Sequence, residues 1–355
     1  MIQTDRKITR SKYLANSVVV VDGFPGCGKT LFGPIISSLS RVEIMQYIFE
    51  IEFICRLSFL NKIDKVSASA LISMLTDHKL YQTMMGRDTN FRFSDLSGVF
   101  KNPFPLRYFK RIFSEGDMKI PEIIETERPI LNFVAHDLLS YSEPLLEAIG
   151  KRLTYIEVVR HPLYMVIQQT LNMERLYTNV DPRDIQIYYD YNKKELPYFC
   201  LGWEEDYLRS NNVEKAIFSI HHASQTSERL KKRLKMEKES FNLLTIPFEA
   251  FVVSPESFIE NITSLIGTEK TNKTLKVLKE QNVPRTKASE GIPLDIYKRC
   301  GWEPSDKNLS EREELNKRRE WIERMGASKE TLILMDILSE NYEKTYNYSP
   351  KEKKL

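Results

Sequence analysis

Cysteine is scarce in this chain of 355 residues: the 4 present, Cys27, Cys55, Cys200 and Cys300, lie far apart with no C-x-x-C spacing. That excludes a zinc ligand set and a disulfide framework, and makes a reducing compartment the expectation. Charge of one sign is not in excess, since 52 basic against 49 acidic residues leave a formal net charge of +3. Near balance argues against a dedicated nucleic-acid binder. The N-terminal stretch MIQTDRKITRSKYLANS has no apolar signal core, and no apolar run approaches the length that spans a bilayer. Asn261, Asn272 and Asn308 stand in N-x-S/T sequons, which carry little weight without a secretory signal. The expectation is a soluble cytoplasmic protein with neither a nucleic-acid nor a membrane partner. No internal repeat and no long linker interrupts the chain, so residues 1–355 are read as a single domain.

What is present centres on VVVVDGFPGCGKT, Val18 to Thr30. Four consecutive valines read as a strand buried on both faces, the kind found inside a parallel sheet. Gly23, Phe24, Pro25, Gly26, Cys27, Gly28, Lys29 and Thr30 then complete the pattern G-x-x-x-x-G-K-T. Glycines let backbone N–H groups turn inward around a phosphate, and the helix that follows directs its positive end at the same anion. Lys29 would reach the terminal phosphate or its equivalent, and the Thr30 hydroxyl would hold Mg²⁺ or another phosphate oxygen. A phosphorylated nucleotide is the expected ligand.

Beyond this loop a helix is expected from about Gly28 through Leu39, with Pro34 forcing a kink or an early break. Residues 43–60 carry apolar side chains at helical spacing, interrupted by Glu43, Glu50, Glu52 and Arg56, and are read as a core helix. Residues 62–127 read as a mainly helical insertion or cap. Strands are expected at 130–135, ending in His136-Asp137; at 153–159, ending in Arg160-His161-Pro162; and at 242–247. Strands alternating with helices imply an α/β fold, a doubly wound parallel sheet, whose ligands sit at the carboxyl ends of the strands. The basic run in residues 222–238 is read as a solvated helix face. Ser310-x-x-Glu313 is a capping box that opens a helical C-terminal extension over residues 305–355. The last residues, SPKEKKL, are expected to be disordered.

In this order the chain resembles the sulfotransferases that use 3′-phosphoadenosine 5′-phosphosulfate. The motifs that carry the resemblance are GFPGCGKT, ILNFVAHDLL, YIEVVRHPLYMVIQ, LLTIPFEAF and VPRTKASEG. Together they span about residues 17 to 300. The resemblance implies a P-loop-type sheet, 3′-phosphoadenosine 5′-phosphosulfate as cosubstrate and a hydroxyl or amine acceptor. It also implies roles: His136 as catalytic base, Lys29 on the transferring group, and Arg160, Arg285 and Lys287 around the 3′-phosphate. Sulfuryl transfer suits such a set, because it needs cations and N–H donors on the moving group and a base for the acceptor. Imidazole is a natural base near neutral pH.

Two positions depart from the family pattern. Gly26 stands where the family loop has a basic residue, so the cationic role moves along to Lys29. Gln168 stands where the family has a serine that contacts the 3′-phosphate, and an amide can donate the same bond. A loop ending in Gly-Lys-Thr is also what ATP-dependent small-molecule kinases use, with Mg²⁺ on Thr30 and on a strand-end Asp, here Asp137. A nucleotide-dependent switch is the third class. The Tyr-rich segments at 177–198 and the insertion at 62–127 are the candidate walls of an acceptor pocket. Acceptor identity and oligomeric state stay open at this level.

Overall fold

Val18–Asp22 forms β1, every residue of it buried, at the centre of a parallel sheet. Leu131–Val134 (β2) pairs on one side and Leu153–Val159 (β3) on the other, and Asn242–Pro247 (β6) continues beyond β3. The computed structural model describes residues 8, 10, 12–180, 182, 184–237, 241–295, 298, 300, 301, 303, 304, 306 and 308–352. Side chains alternate across a strand with a period of two. Accordingly Val19 and Val21 enter one apolar cluster, while Val18 and Val20 enter the other.

Helices cover both faces, which makes the fold the expected doubly wound α/β sheet. On the Val18 side lie α2 (Phe49–Phe59), α3 (Lys65–Met84), α5 (Ile120–Glu127) and α6 (Glu143–Ile149). On the Val19 side lie α1 (Phe32–Ser37), α7 (Pro162–Arg175), α10 (Phe248–Val253), α11 (Glu256–Ile266) and α12 (Thr274–Glu280). That side also holds α13 (Glu311–Arg324) and α14 (Lys329–Thr345). Among the described residues the remaining α-helices are α4 (Pro105–Ile112), α8 (Glu204–Arg209) and the long α9 (Asn212–Glu237). Val213, Ala216, Ile217 and Ile220 of α9 pack in one cluster, and Leu230 and Leu234 pack in the other. The middle of α9 therefore passes the carboxyl end of the sheet. None of the described helices is long and apolar enough to cross a membrane.

Several elements differ from the sequence expectation. The helix after the glycine loop is a 3₁₀ turn, Lys29–Leu31, followed by the six-residue α1. Pro34 supplies no N–H to continue an α-helix back through Thr30, so the expected early break occurs. The helix expected over residues 43–60 starts only at Phe49. Val42 and Gln46 instead form parallel bridges with Ile130 and Phe133. Gln46 N–H donates to Asn132 O (3.1 Å) and its carbonyl accepts from Val134 N–H (2.9 Å). The open edge of β2 outbids helical spacing here, because its backbone groups need partners. A hairpin the periodicity did not show, β4 (Tyr188–Tyr191) with β5 (Lys194–Pro197), turns through Asn192 and Lys193, both at positive φ.

The insertion is fastened to that edge by a buried ion pair. Arg111 of α4 donates to both oxygens of Glu43 (2.7 and 2.9 Å), and the Tyr108 hydroxyl donates to Oε2 (3.1 Å). At the C-terminus the capping box of Ser310 and Glu313 is formed, and α13 and α14 pack on α7. The disorder expected from Ser349 onward does not hold at Lys351: its N–H donates to Glu311 (3.0 Å) and its ammonium to Thr286 O (2.8 Å). Residues 353–355 of that stretch lie outside the described residues.

Candidate active site

The glycine loop starts where β1 ends and bends through two residues that need φ above zero. Gly28 has φ 91°, and a Cβ there would lie 2.3 Å from the Phe248 ring. Gly26 has φ 93° and faces Met165 and Gln168 of α7, so α7 is packed against the loop and Gln168 beside it. Only glycine combines that backbone with that proximity. Pro25, just before Gly26, stands on a cavity wall, and Cys27 is buried, with burial foremost in pushing its thiol pKa up. Lys29 is buried, and its ammonium turns back to donate to Gly23 O (2.7 Å). Thr30, half-buried, is the middle residue of the 3₁₀ turn.

His136 follows β2 and is oriented from α2. Its Nδ1 lies 3.0 Å from Glu52 Oε1, and Glu52 is buried. The ring stacks on Phe49 at 5.7 Å and 4°, and on Tyr47 at 5.7 Å and 20°. The second Glu52 oxygen accepts from Arg56 Nη2 at 2.8 Å, and Arg56 spreads over the Tyr198 ring at 4.6 Å. With Nδ1 engaged by the carboxylate, Nε2 is the nitrogen left to face a substrate. Sequence reading noted Glu52 and Arg56 only as interruptions of an apolar run. Their i, i+4 spacing, beside Ile51 and Cys55 on the buried face of the helix, was the signal to follow.

Asp137 is half-buried, with φ 52° and its N–H donating to Gly23 O (3.2 Å). Burial, then the neighbouring Asp22 carboxylate, hold its pKa well above the usual carboxylate range, against the pull of Lys29. Asp22 is itself buried and accepts from Leu139 N–H (2.8 Å) and the Tyr155 hydroxyl (2.6 Å). The strand stops at Val134, so side-chain alternation no longer separates His136 from Asp137. Both line one cavity of ≈ 630 Å³ with Phe24 and Pro25 of the loop. Aromatic rings, including Phe49, Tyr177, Tyr198 and Trp203, form much of its wall. The Tyr-rich segment thus stands at this cavity, whereas the groove beside α4 is separate.

A second cavity of ≈ 630 Å³ touches the other side of the loop, with Asp22, Glu157, Arg160 and Lys231 on its walls. Part of the basic run is therefore not a solvated face. Lys231 Nζ lies 3.0 Å from Glu157 Oε2, and Arg229 and Lys232 also line this cavity. Glu157 is a buried β3 carboxylate that also accepts from the Ser227 and Thr245 hydroxyls, and the paired cation with these donors makes its burial tolerable.

Arg160 leaves the end of β3 and donates to Gly26 O (3.1 Å), while its Nε is buried without a hydrogen bond. His161 caps α7 by accepting from Leu163 N–H on Nδ1 (3.3 Å), with Pro162 as the first helical residue. Arg285 is brought to the Phe248 ring, its guanidinium carbon 5.5 Å from the centroid, and donates to the carbonyls of Gln281 and Asn282. Lys287 is placed elsewhere. Its ammonium is held by the carbonyls of Asp306 and Leu309. The loop, Lys29, His136, Asp137, Arg160, Gln168 and Arg285 are thus gathered at the carboxyl ends of the strands, and Lys287 serves the neighbouring loop.

No family model matches this chain, and no curated protein matches it. Among solved structures it is similar to the sulfotransferase domain of the olefin synthase from Synechococcus PCC 7002, with 14% identity and a TM-score of 0.43. That match covers 97% of this chain and 98% of the other. The sulfotransferase STF9 from Mycobacterium avium is 13% identical, with a TM-score of 0.43, over 96% of this chain and 79% of the other. The chain is thus similar, over nearly its whole length, to two solved sulfotransferase structures.

Proposed function

We propose that this protein transfers a sulfuryl group from 3′-phosphoadenosine 5′-phosphosulfate to a hydroxyl on an acceptor held in the aromatic cavity. The observation that carries the reading is the Glu52–His136 pair, 3.0 Å apart, on the same cavity wall as Phe24 and Pro25 of the glycine loop. The residues fit such a cosubstrate. Gly26 and Gly28 let the loop take its two positive-φ turns, and Arg160 keeps a buried Nε with an unused donor.

When bound, the cosubstrate supplies the activated sulfuryl group. Lys29 and the loop amides stabilise the negative charge that develops on the bridging oxygen, in a site where those dipoles are already oriented. His136 Nε2 takes the proton from the acceptor hydroxyl, and Glu52 holds the ring and stabilises the imidazolium that forms. Arg160, Gln168 and Arg285 hold the 3′-phosphate through charge-assisted or amide donors.

A second reading, ATP-dependent phosphoryl transfer, is favoured by one observation: Asp137 stands at the loop within the electrostatic reach of Lys29. Thermal shift separates the two. Adenosine 3′,5′-bisphosphate without Mg²⁺ should raise the melting temperature more than AMP does. Stabilisation by Mg-ATP or Mg-ADP alone would replace sulfuryl with phosphoryl transfer.

A further inference from the structure

The C-terminal helix pair brings a third guanidinium to the neighbourhood of the glycine loop. Arg318 on α13 lies with its guanidinium carbon 4.9 Å from the Tyr164 ring centroid, and that of Arg160 lies 4.8 Å from the same centroid. Arg160 is also 4.5 Å from the Phe248 centroid, the ring that Arg285 approaches at 5.5 Å. Three cations from three separate segments are thus collected around two aromatic rings. Aromatic faces attract cations but do not cancel their charge.

The carboxylates nearby are occupied elsewhere or only partly offset this charge. Glu249 Oε1 stands 3.9 Å from Arg160 Nε but accepts from His161 N–H (3.1 Å), and its other oxygen accepts from Tyr342. Glu314, one turn before Arg318 on α13, and Glu303 also face it, and they favour its charged form. Burial and then repulsion from Arg160 outweigh them and hold the Arg318 pKa below its ordinary value. Cations gathered in a partly desolvated place are costly unless an anion sits among them. Arg160 Nε, buried and without a hydrogen bond, is a donor waiting for such an anion.

We propose that Arg318 joins Arg160 and Arg285 in binding a phosphate group, the 3′-phosphate of the nucleotide whose 5′ end sits on the glycine loop. The 3′ assignment rests on the nucleotide reading above, while the anion site itself does not. The C-terminal helix α13 then contributes a side chain to the nucleotide site.

Arg318→Gln and Arg318→Lys, compared with the parent chain for nucleotide binding without Mg²⁺, test this. Loss of one charge-assisted contact should weaken adenosine 3′,5′-bisphosphate about tenfold or more. AMP, which lacks the 3′-phosphate, should bind Arg318→Gln as it binds the parent, and Arg318→Lys should recover part of the loss. Equal weakening of both nucleotides, or no weakening of the bisphosphate, overturns the proposal. If the parent chain binds neither nucleotide, the nucleotide reading fails, and inorganic pyrophosphate, compared between the parent and Arg318→Gln, then tests the anion site without a nucleoside. A larger pyrophosphate-induced melting shift in the parent than in Arg318→Gln upholds the site. Equal shifts, or none, overturn it.

Discussion

Glu52 Oε1 lies 3.0 Å from His136 Nδ1, and the same carboxylate accepts from Arg56 at 2.8 Å. Both members of the Glu52–Arg56 pair are buried, so the carboxylate has a structural partner and a chemical one. Removing it outright would strand a buried guanidinium, at a cost on the order of 3–5 kcal/mol.

Glu52→Gln is therefore the informative change. It keeps the shape of the side chain and removes the charge that stabilises an imidazolium on His136. Turnover should fall about 100-fold or more, with the bisphosphate affinity unchanged. Wild-type turnover in Glu52→Gln would show that the pair only positions α2.

Lys29→Ala tests the cation of the glycine loop. Its ammonium now donates to Gly23 O at 2.7 Å, a contact it can exchange for a ligand oxygen. Losing a preorganised cation at the reacting group should cost on the order of 100-fold in turnover. Turnover within a few-fold of the parent would place Lys29 away from the transferring group.

His136→Ala and Asp137→Asn separate sulfuryl from phosphoryl transfer. In the proposed chemistry His136→Ala abolishes most turnover and leaves nucleotide binding intact, because a base acts in the transition state. Asp137→Asn should cost far less activity. Loss of Mg²⁺-dependent nucleotide binding in Asp137→Asn, with His136→Ala mild, would reverse the assignment. Asp137 also makes a stability prediction. Its pKa is raised in the folded protein, so ionisation opposes folding as pH rises above the ordinary carboxylate value. Asp137→Asn should melt higher than the parent at neutral pH, and the difference should shrink as pH falls towards 4, the ordinary range of an unfolded Asp. A difference independent of pH would show that Asp137 does not titrate in this way.

His161 predicts the opposite slope. Burial pulls its pKa from 6.5 down to about 4, against the opposing effect of Glu343. The unfolded chain then binds a proton that the native chain refuses, so stability falls as pH drops from 6.5 towards about 4. His161→Asn keeps a helix-capping side chain and does not titrate. Melting curves across that interval should flatten in the variant, and an unchanged slope would assign the acid sensitivity to other groups.

How much of this was legible beforehand depends on the range of the interaction. Strands β1, β3 and β6, the glycine loop, Pro162 at the head of α7 and the Ser310 capping box were all readable. Each is set by residues within a few positions of one another, through burial pattern, backbone freedom or capping chemistry. Residues 43–46 looked helical because local spacing is silent about the open edge of β2, more than 80 residues away in the chain. His136 could be nominated from its place after a strand, but its carboxylate partner could not, because Glu52 comes from α2 and meets it only across the sheet edge. The resemblance at VPRTKASEG implied Lys287 at the 3′-phosphate, and the fold places its ammonium on the carbonyls of Asp306 and Leu309. Arg318 had no local signature, being one charge among many on a capped, charged helix. Local chemistry in the sequence determined where a phosphate could be held. Which charges surround it was decided by tertiary packing, since opposing charges on distant elements meet only when the apolar faces of those elements are buried together.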